Sequence, residues 1–141
     1  MTETWEGGCL CGDVRYRARG APKWVAWCHC ESCRRHSGAA AAAFAAFDEP
    51  DLETTRGAIT RFASSPGMQR GFCARCGSTL TCQGGQRPGE VHLHVGSLDH
   101  PERLPPPTAQ FFPEERLPWF PKDCVAPRAR PAEAEPGSDA G

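Results

Sequence analysis

Seven of the nine cysteines in this 141-residue chain fall into three tight clusters, and their spacing constrains the fold more than any other feature. The clusters are Cys9-Leu10-Cys11-Gly12, Cys28-His29-Cys30-Glu31-Ser32-Cys33 and Cys73-Ala74-Arg75-Cys76-Gly77. Two cysteines one or two residues apart can chelate a single ion from one turn. A divalent ion such as zinc takes four tetrahedral ligands, with thiolates at about 2.3 Å. Cys9 and Cys11 with Cys73 and Cys76 make a closed four-thiolate site from two distant parts of the chain. Four thiolates exceed the charge of one divalent ion, so the site needs backbone N–H donors. Gly12 and Gly77 each follow a cysteine and let the backbone turn back with positive φ, bringing amides toward the sulfurs.

Cys28, Cys30 and Cys33 supply only three thiolates. Three protein ligands leave the fourth position of a zinc ion to water or substrate, the arrangement of a catalytic site. A fourth ligand from His29, His36, Cys82 or Cys124 would close it and make it structural. A C-x-x-C pair also serves redox chemistry, but no alternating βαβ pattern surrounds it here. Cys82 and Cys124 remain as free thiols. His92 and His94 form an H-x-H pair that reads as the solvent-facing side of a strand.

Composition agrees with a metal-stapled chain. Leu, Ile, Val and Phe together number 20, while Gly and Pro number 15 and 14. A structural zinc contributes roughly 10–16 kcal/mol of apparent folding free energy in small modules, against about 1.5–3 kcal/mol for one large buried apolar side chain. Net charge is −1 and the pI about 6.5. That balance argues against nucleic acid or an anionic membrane as the main partner. No apolar run is long enough to span a membrane, and the N-terminal residues lack the pattern of a secretory signal. The expected location is the cytoplasm, where thiols stay reduced.

The pattern predicts a folded domain over residues 1–124 and a disordered Pro/Ala/Glu-rich tail over 125–141. Within the domain short strands dominate. Val14, Tyr16 and Ala18 alternate with Arg15, Arg17 and Arg19. Further strands are expected at Lys23–Trp27, Ile59–Ala63, Met68–Phe72, Thr79–Cys82 and Glu90–Val95. Ala39–Phe47 has helical propensity, but small side chains also suit a strand lying close to another backbone, and a strand is the expectation.

The three cysteine motifs in their contexts, Gly7–Tyr16, Cys28–Ala39 and Gly71–Ser78, together with Gly96-Ser97-Leu98-Asp99 and Arg116-Leu117-Pro118-Trp119, resemble the glutathione-dependent formaldehyde-activating enzyme family, which also includes centromere protein V. The resemblance covers about residues 5–121. It implies an all-β "β-tent" fold of short antiparallel strands with few or no helices, and it supports a strand at Ala39–Phe47. It implies two zinc ions: a structural one on Cys9, Cys11, Cys73 and Cys76, and a catalytic one on Cys28, Cys30 and Cys33. The implied activity is a carbon–sulfur lyase acting on S-hydroxymethylglutathione, so the partners are a small thiol such as glutathione and a small aldehyde. Arg34 or Arg35 would hold a glutathione carboxylate, with Ser37, Ser97 and Trp119 as further pocket residues. The alternative is a non-catalytic zinc module binding glutathione or a protein partner. Family members commonly carry histidine six positions before the Arg116 equivalent; this chain has Gln110.

Overall fold

The computed structural model describes residues 3–126. Most of the tail expected over 125–141 therefore lies outside the described residues. Among the described residues ten strands form two sheets. Strands β1 (Thr4–Gly8), β2 (Arg15–Arg19) and β5 (Leu52–Arg56) make a three-stranded sheet in the order β1-β2-β5. The other strands are β3 (Val25–Cys28), β4 (Ala42–Asp48), β6 (Thr60–Ser65), β7 (Met68–Phe72), β8 (Thr79–Gly84), β9 (Arg87–His94) and β10 (Ala109–Phe111). They form a seven-stranded sheet ordered β10-β3-β4-β9-β8-β7-β6. The fold is all-β, as the motifs imply. One α-helix, α1 (Glu31–Ser37), and four single-turn 3-10 segments accompany the strands.

The alternation in β2 places Tyr16 and Ala18 inside, both fully buried, and leaves the arginines outward. Across the β1–β2 ladder Trp5 sits opposite Ala18, and Gly7 opposite Tyr16. Gly7 is required there: a Cβ would lie 2.5 Å from both the Tyr16 hydroxyl oxygen and the Ser97 carbonyl. These residues meet Val25, Ala45, Phe47, Leu80, Val91 and Leu93 in the main core cluster.

A second core cluster contains Ala26, Cys28, Cys33, Ala42, Phe44, Met68, Cys82 and Phe111. The alanine-rich β4 supplies residues to both clusters, and β3 and β9 pair with it on either side. A central strand covered on both faces has no need of a polar side, which explains why tertiary pairing overrides the helical propensity of this run. The strand begins at Ala42 rather than Ala39.

Three features depart from the sequence expectations. The pairing is antiparallel except between β10 and β3, which is parallel, with Phe111 opposite Cys28. His92 and His94 do not face solvent: each is only 7% exposed. Trp24 lies edge-on to His92 with ring centroids 4.6 Å apart, and Phe44 lies 4.5 Å from His94. Finally, the cluster-bearing segment after β3 is helical. Cys30 caps α1 by accepting from the Cys33 N–H at 3.3 Å, Glu31 lies in the first turn, and Arg34, Arg35 and His36 lie in the last. Gly38, at φ 75°, ends the helix by donating to the Arg34 carbonyl at 2.7 Å, as left-handed glycine caps do. Among the described residues no helix is long and apolar enough to cross a membrane.

Candidate metal centres

The β1–β2 connection carries Cys9 and Cys11, and the β7–β8 connection carries Cys73 and Cys76. Their four sulfurs lie within 4.8 Å of one another. Cys9 Sγ and Cys11 Sγ are 3.6 Å apart, and Cys11 Sγ and Cys73 Sγ are 3.8 Å apart. A tetrahedral zinc–thiolate site with its ordinary bond length sets sulfurs about 3.8 Å apart, so the donor set fits that ion. Backbone N–H groups point at the sulfurs: Val14 donates to Cys9 Sγ at 3.2 Å, and Arg75 and Cys76 donate to Cys73 Sγ at 3.4 Å. Gly12 and Gly77 adopt φ of 85° and 81°, as their position after a cysteine requires. Ser78 Oγ lies 3.2 Å from Cys76 Sγ and accepts from the Leu10 N–H at 2.9 Å, tying the two connections together. That hydroxyl, followed by backbone donors, holds the Cys76 thiol well below its ordinary range, at about 5.

Cys28, Cys30 and Cys33 form the second cluster, again with sulfurs within 4.8 Å. Each comes from a different structural position: Cys28 ends β3, Cys30 caps α1 and Cys33 lies inside the helix. Among the described residues no fourth His, Cys, Asp or Glu ligand atom joins all three within that distance. His29 is fully buried, but its Nε2 bonds to Gln110 Oε1 at 2.8 Å. His36 Nδ1 bonds to Thr79 Oγ1 at 3.1 Å. Cys124 offers its carbonyl to the Trp27 indole N–H at 2.9 Å. Cys82 is buried nearby and lines, with Cys28, Cys33, Phe44, Met68 and Phe111, a cavity of about 20 Å³. Burial pushes its thiol up, toward the neutral form.

The charge balance of this cluster involves a residue that sequence reasoning missed. Arg70, on β7, is the one arginine or lysine among the described residues that is buried, at 3% exposure. Its Nη1 donates to Cys33 Sγ at 3.3 Å and its Nε to Ser64 Oγ at 3.0 Å. Burial opposes its charge, but the Cys82, Cys33 and Cys30 sulfurs hold its pKa above the ordinary value. A buried guanidinium without a carboxylate needs other anions, and thiolates held by a divalent ion are such anions. The crowding of the three sulfurs points the same way. Hydrogen bonds from Cys28 and then Cys33 pull Cys30 down, and the same exchange pushes Cys28 up. A divalent ion relieves that competition by replacing the shared protons. Both cysteine clusters thus fit a metal ion.

The expected substrate residues separate in space. Ser37 and Ser97 line one cleft of about 690 Å³, together with Trp27, Thr79 and His94. Ser37 Oγ donates to the Cys33 carbonyl at 2.7 Å, and Ser97 Oγ lies 2.6 Å from the Tyr16 hydroxyl. Arg34, Arg35 and Trp119 do not line that cleft. Arg35 pairs with Glu31 on the exposed face of α1 at 2.8 Å, and Trp119 is 72% exposed. The cleft is lined by none of the three clustered sulfurs; Cys28 and Cys33 instead face the small cavity. Gln110, standing where histidine is common, anchors His29 and accepts from Arg116 at 3.5 Å.

Comparison with known proteins agrees with these motifs. The family described as glutathione-dependent formaldehyde-activating enzyme matches residues 4–114. An uncharacterized lyase of Schizosaccharomyces pombe is 33% identical over 76 residues, 54% of this chain and 55% of that protein. The match therefore spans little more than half the length of that relative. A Halomonas elongata protein, provisionally named a glutathione-dependent formaldehyde-activating enzyme, is 29% identical over 123 residues, 81% of this chain and 78% of its own. The crystal structure of a Rhodobacter sphaeroides protein, a structural-genomics target, is 26% identical. It aligns with a TM-score of 0.55 over 67% of this chain and 87% of that one. With the family match running from β1 past β10 and across all three cysteine clusters, this chain belongs to the glutathione-dependent formaldehyde-activating enzyme family.

Proposed function

We propose that the chain is a zinc-dependent carbon–sulfur lyase of thiol–aldehyde adducts, with S-hydroxymethylglutathione as the substrate toward which the family name points. In this reading Cys9, Cys11, Cys73 and Cys76 hold a structural zinc, and Cys28, Cys30 and Cys33 hold a catalytic one in a cytoplasmic protein. The observation that supports it is the three-sulfur cluster, with no fourth ligand among the described residues, beside a buried arginine.

Zinc bound at the three-cysteine site would supply a Lewis-acidic position where a thiol is held as thiolate. The chain supplies the rest. Cys28, Cys30 and Cys33 are fixed by β3 and the first turn of α1, so their positions are set before substrate arrives. Arg70 offsets the negative charge gathered there. Phe44, Met68 and Phe111 exclude bulk water from the adjoining cavity. That cavity, about 20 Å³, exceeds the roughly 10–15 Å³ that one water needs. Of the two arginines on α1, Arg35 is paired with Glu31, so Arg34 remains the one that would read a glutathione carboxylate.

The test is turnover. Zinc-loaded protein should accelerate formation or breakdown of the glutathione–formaldehyde adduct, and Cys30→Ser should abolish that acceleration. No acceleration with any of a range of thiols and aldehydes would refute the enzyme reading. One observation favours a second reading, a non-catalytic module: the 690 Å³ cleft is lined by none of the three sulfurs. Thiol binding without turnover would support it.

A further inference from the structure

Arg70 has no obvious place in a stability argument. It lies on an inner strand, paired in register with Phe62 of β6 and Cys82 of β8. Its side-chain hydrogen bonds go to Cys33 Sγ, a member of the second core, and to Ser64 Oγ. An apolar side chain of similar volume would fill such a space without desolvating a permanent charge. The groups its charge acts on are the Cys30, Cys33 and Cys82 sulfurs and the His36 and His94 imidazoles. Burial first, and the positive field of Arg70 after it, hold both imidazoles below their ordinary pKa. Arg70 donates directly to one of the three clustered sulfurs, Cys33 Sγ, at 3.3 Å, so that cluster is where its countercharge lies.

The charge count then has a consequence for the fourth ligand. Three thiolates around a divalent ion leave one negative charge in excess, and one guanidinium cancels it. A neutral assembly accepts a further anion far more readily than an anionic one does in a poorly solvated site. We propose that Arg70 is a positioning residue that sets the ligand preference of the Cys28–Cys30–Cys33 centre, selecting an anionic fourth ligand, a thiolate, over neutral donors. The inference rests on the proposed reading only in naming the thiolate. The anion preference follows from the geometry of Arg70 and the three sulfurs.

The test uses the full chain loaded with cobalt, whose ligand-field and thiolate charge-transfer bands report the fourth ligand directly. Three probes are titrated: azide as a simple anion, imidazole as a neutral donor, and glutathione. Losing one charge-assisted contact corresponds to roughly ten- to a hundred-fold in Kd. Arg70→Gln should weaken azide and glutathione by that factor and leave imidazole within about two-fold. Equal weakening of azide and imidazole would show a merely structural role and overturn the proposal, as would azide binding unchanged by Arg70→Gln. Should Arg70→Gln fail to retain cobalt, Arg70→Lys decides. It keeps the charge but loses the fork between Cys33 and Ser64, so azide should stay favoured over imidazole. A collapse of that preference in the lysine variant overturns the proposal. Azide binding that depends on Arg70, with no glutathione band in the parent protein, would sustain the inference and sink the thiol reading. A glutathione band insensitive to Arg70 would do the reverse.

Discussion

Replacing Cys76 with serine tests what the four-cysteine site contributes to folding. The site joins two connections whose sulfurs, on Cys11 and Cys73, stand 62 residues apart in sequence. Treated as a cross-link, closing a loop of that length removes enough unfolded-chain entropy to stabilise the fold by about 4 kcal/mol. The three-cysteine cluster spans only Cys28 to Cys33, and the same arithmetic gives about 2 kcal/mol. At about 3–4 °C per kcal/mol for a domain of this size, Cys76→Ser should lower Tm by roughly 12–16 °C from this term alone, and Cys30→Ser by roughly half as much. Metal content must be measured beside each thermal melt, because the argument requires that the ion is lost. A Cys76→Ser protein that has lost one zinc yet melts with the parent would refute the structural assignment. A larger fall for Cys30→Ser than for Cys76→Ser would refute the loop-length reasoning itself.

Protein purified without chelator should carry two zinc ions, the three-cysteine ion leaving first under mild chelation; one ion per chain at saturating zinc, measured by elemental analysis, would refute the two-site assignment. Burial, then the neighbouring His36 and Arg70, hold His94 down at about 3, so the unfolded chain binds more protons than the folded one between about pH 6.5 and pH 3, and stability is lost as pH is lowered through that window. His94→Gln should therefore lose less stability than the parent as pH drops, by up to about 1.4 kcal/mol per pH unit, and parallel pH–stability curves would refute the assignment. Phe47 is 1% exposed in the main core, so Phe47→Ala should cost about 3–5 kcal/mol in denaturant melts. Arg35 pairs with Glu31 away from the cleft, and Arg35→Ala should leave any glutathione affinity within about two-fold by calorimetry.

What the sequence disclosed follows from how local each feature is. Chelating pairs such as Cys73-x-x-Cys76 sit on single turns, so their spacing alone identifies them. β2 was readable because its alternation is undisturbed over five residues, and Met68–Phe72 was found with its bounds. The helix α1 was not anticipated, although Glu31 in its first turn and Gly38 at its end were in plain sight. Seven residues are too few for a periodic pattern, and the capping group is a cysteine rather than the usual hydroxyl or carboxylate. β10 was missed because its three residues pair with a strand some 80 positions away, which no local pattern records.

Side chains that the seven-stranded sheet brings together are hidden from the sequence for a related reason. Arg34 and Arg35 adjoin Cys33 in sequence, but successive helical residues point about 100° apart, and neither lines the larger cleft. Arg70, Cys82 and His92 lie far apart in sequence yet pair in one row across β7, β8 and β9. Taken alone, each strand makes its polar residues look solvent-facing. They are buried because α1 and Trp24 pack on a side of the sheet that an isolated strand would leave wet: Arg70 reaches Cys33 of the helix, and Trp24 packs on His92. The four-cysteine cluster lies with the main core and fastens two distant connections, whereas the three-cysteine cluster lies with the second core and fastens one helix. The first task requires a closed ligand set. In the proposed reading the second leaves one ligand position free, and the buried guanidinium bonded to Cys33 would give that position a preferred charge.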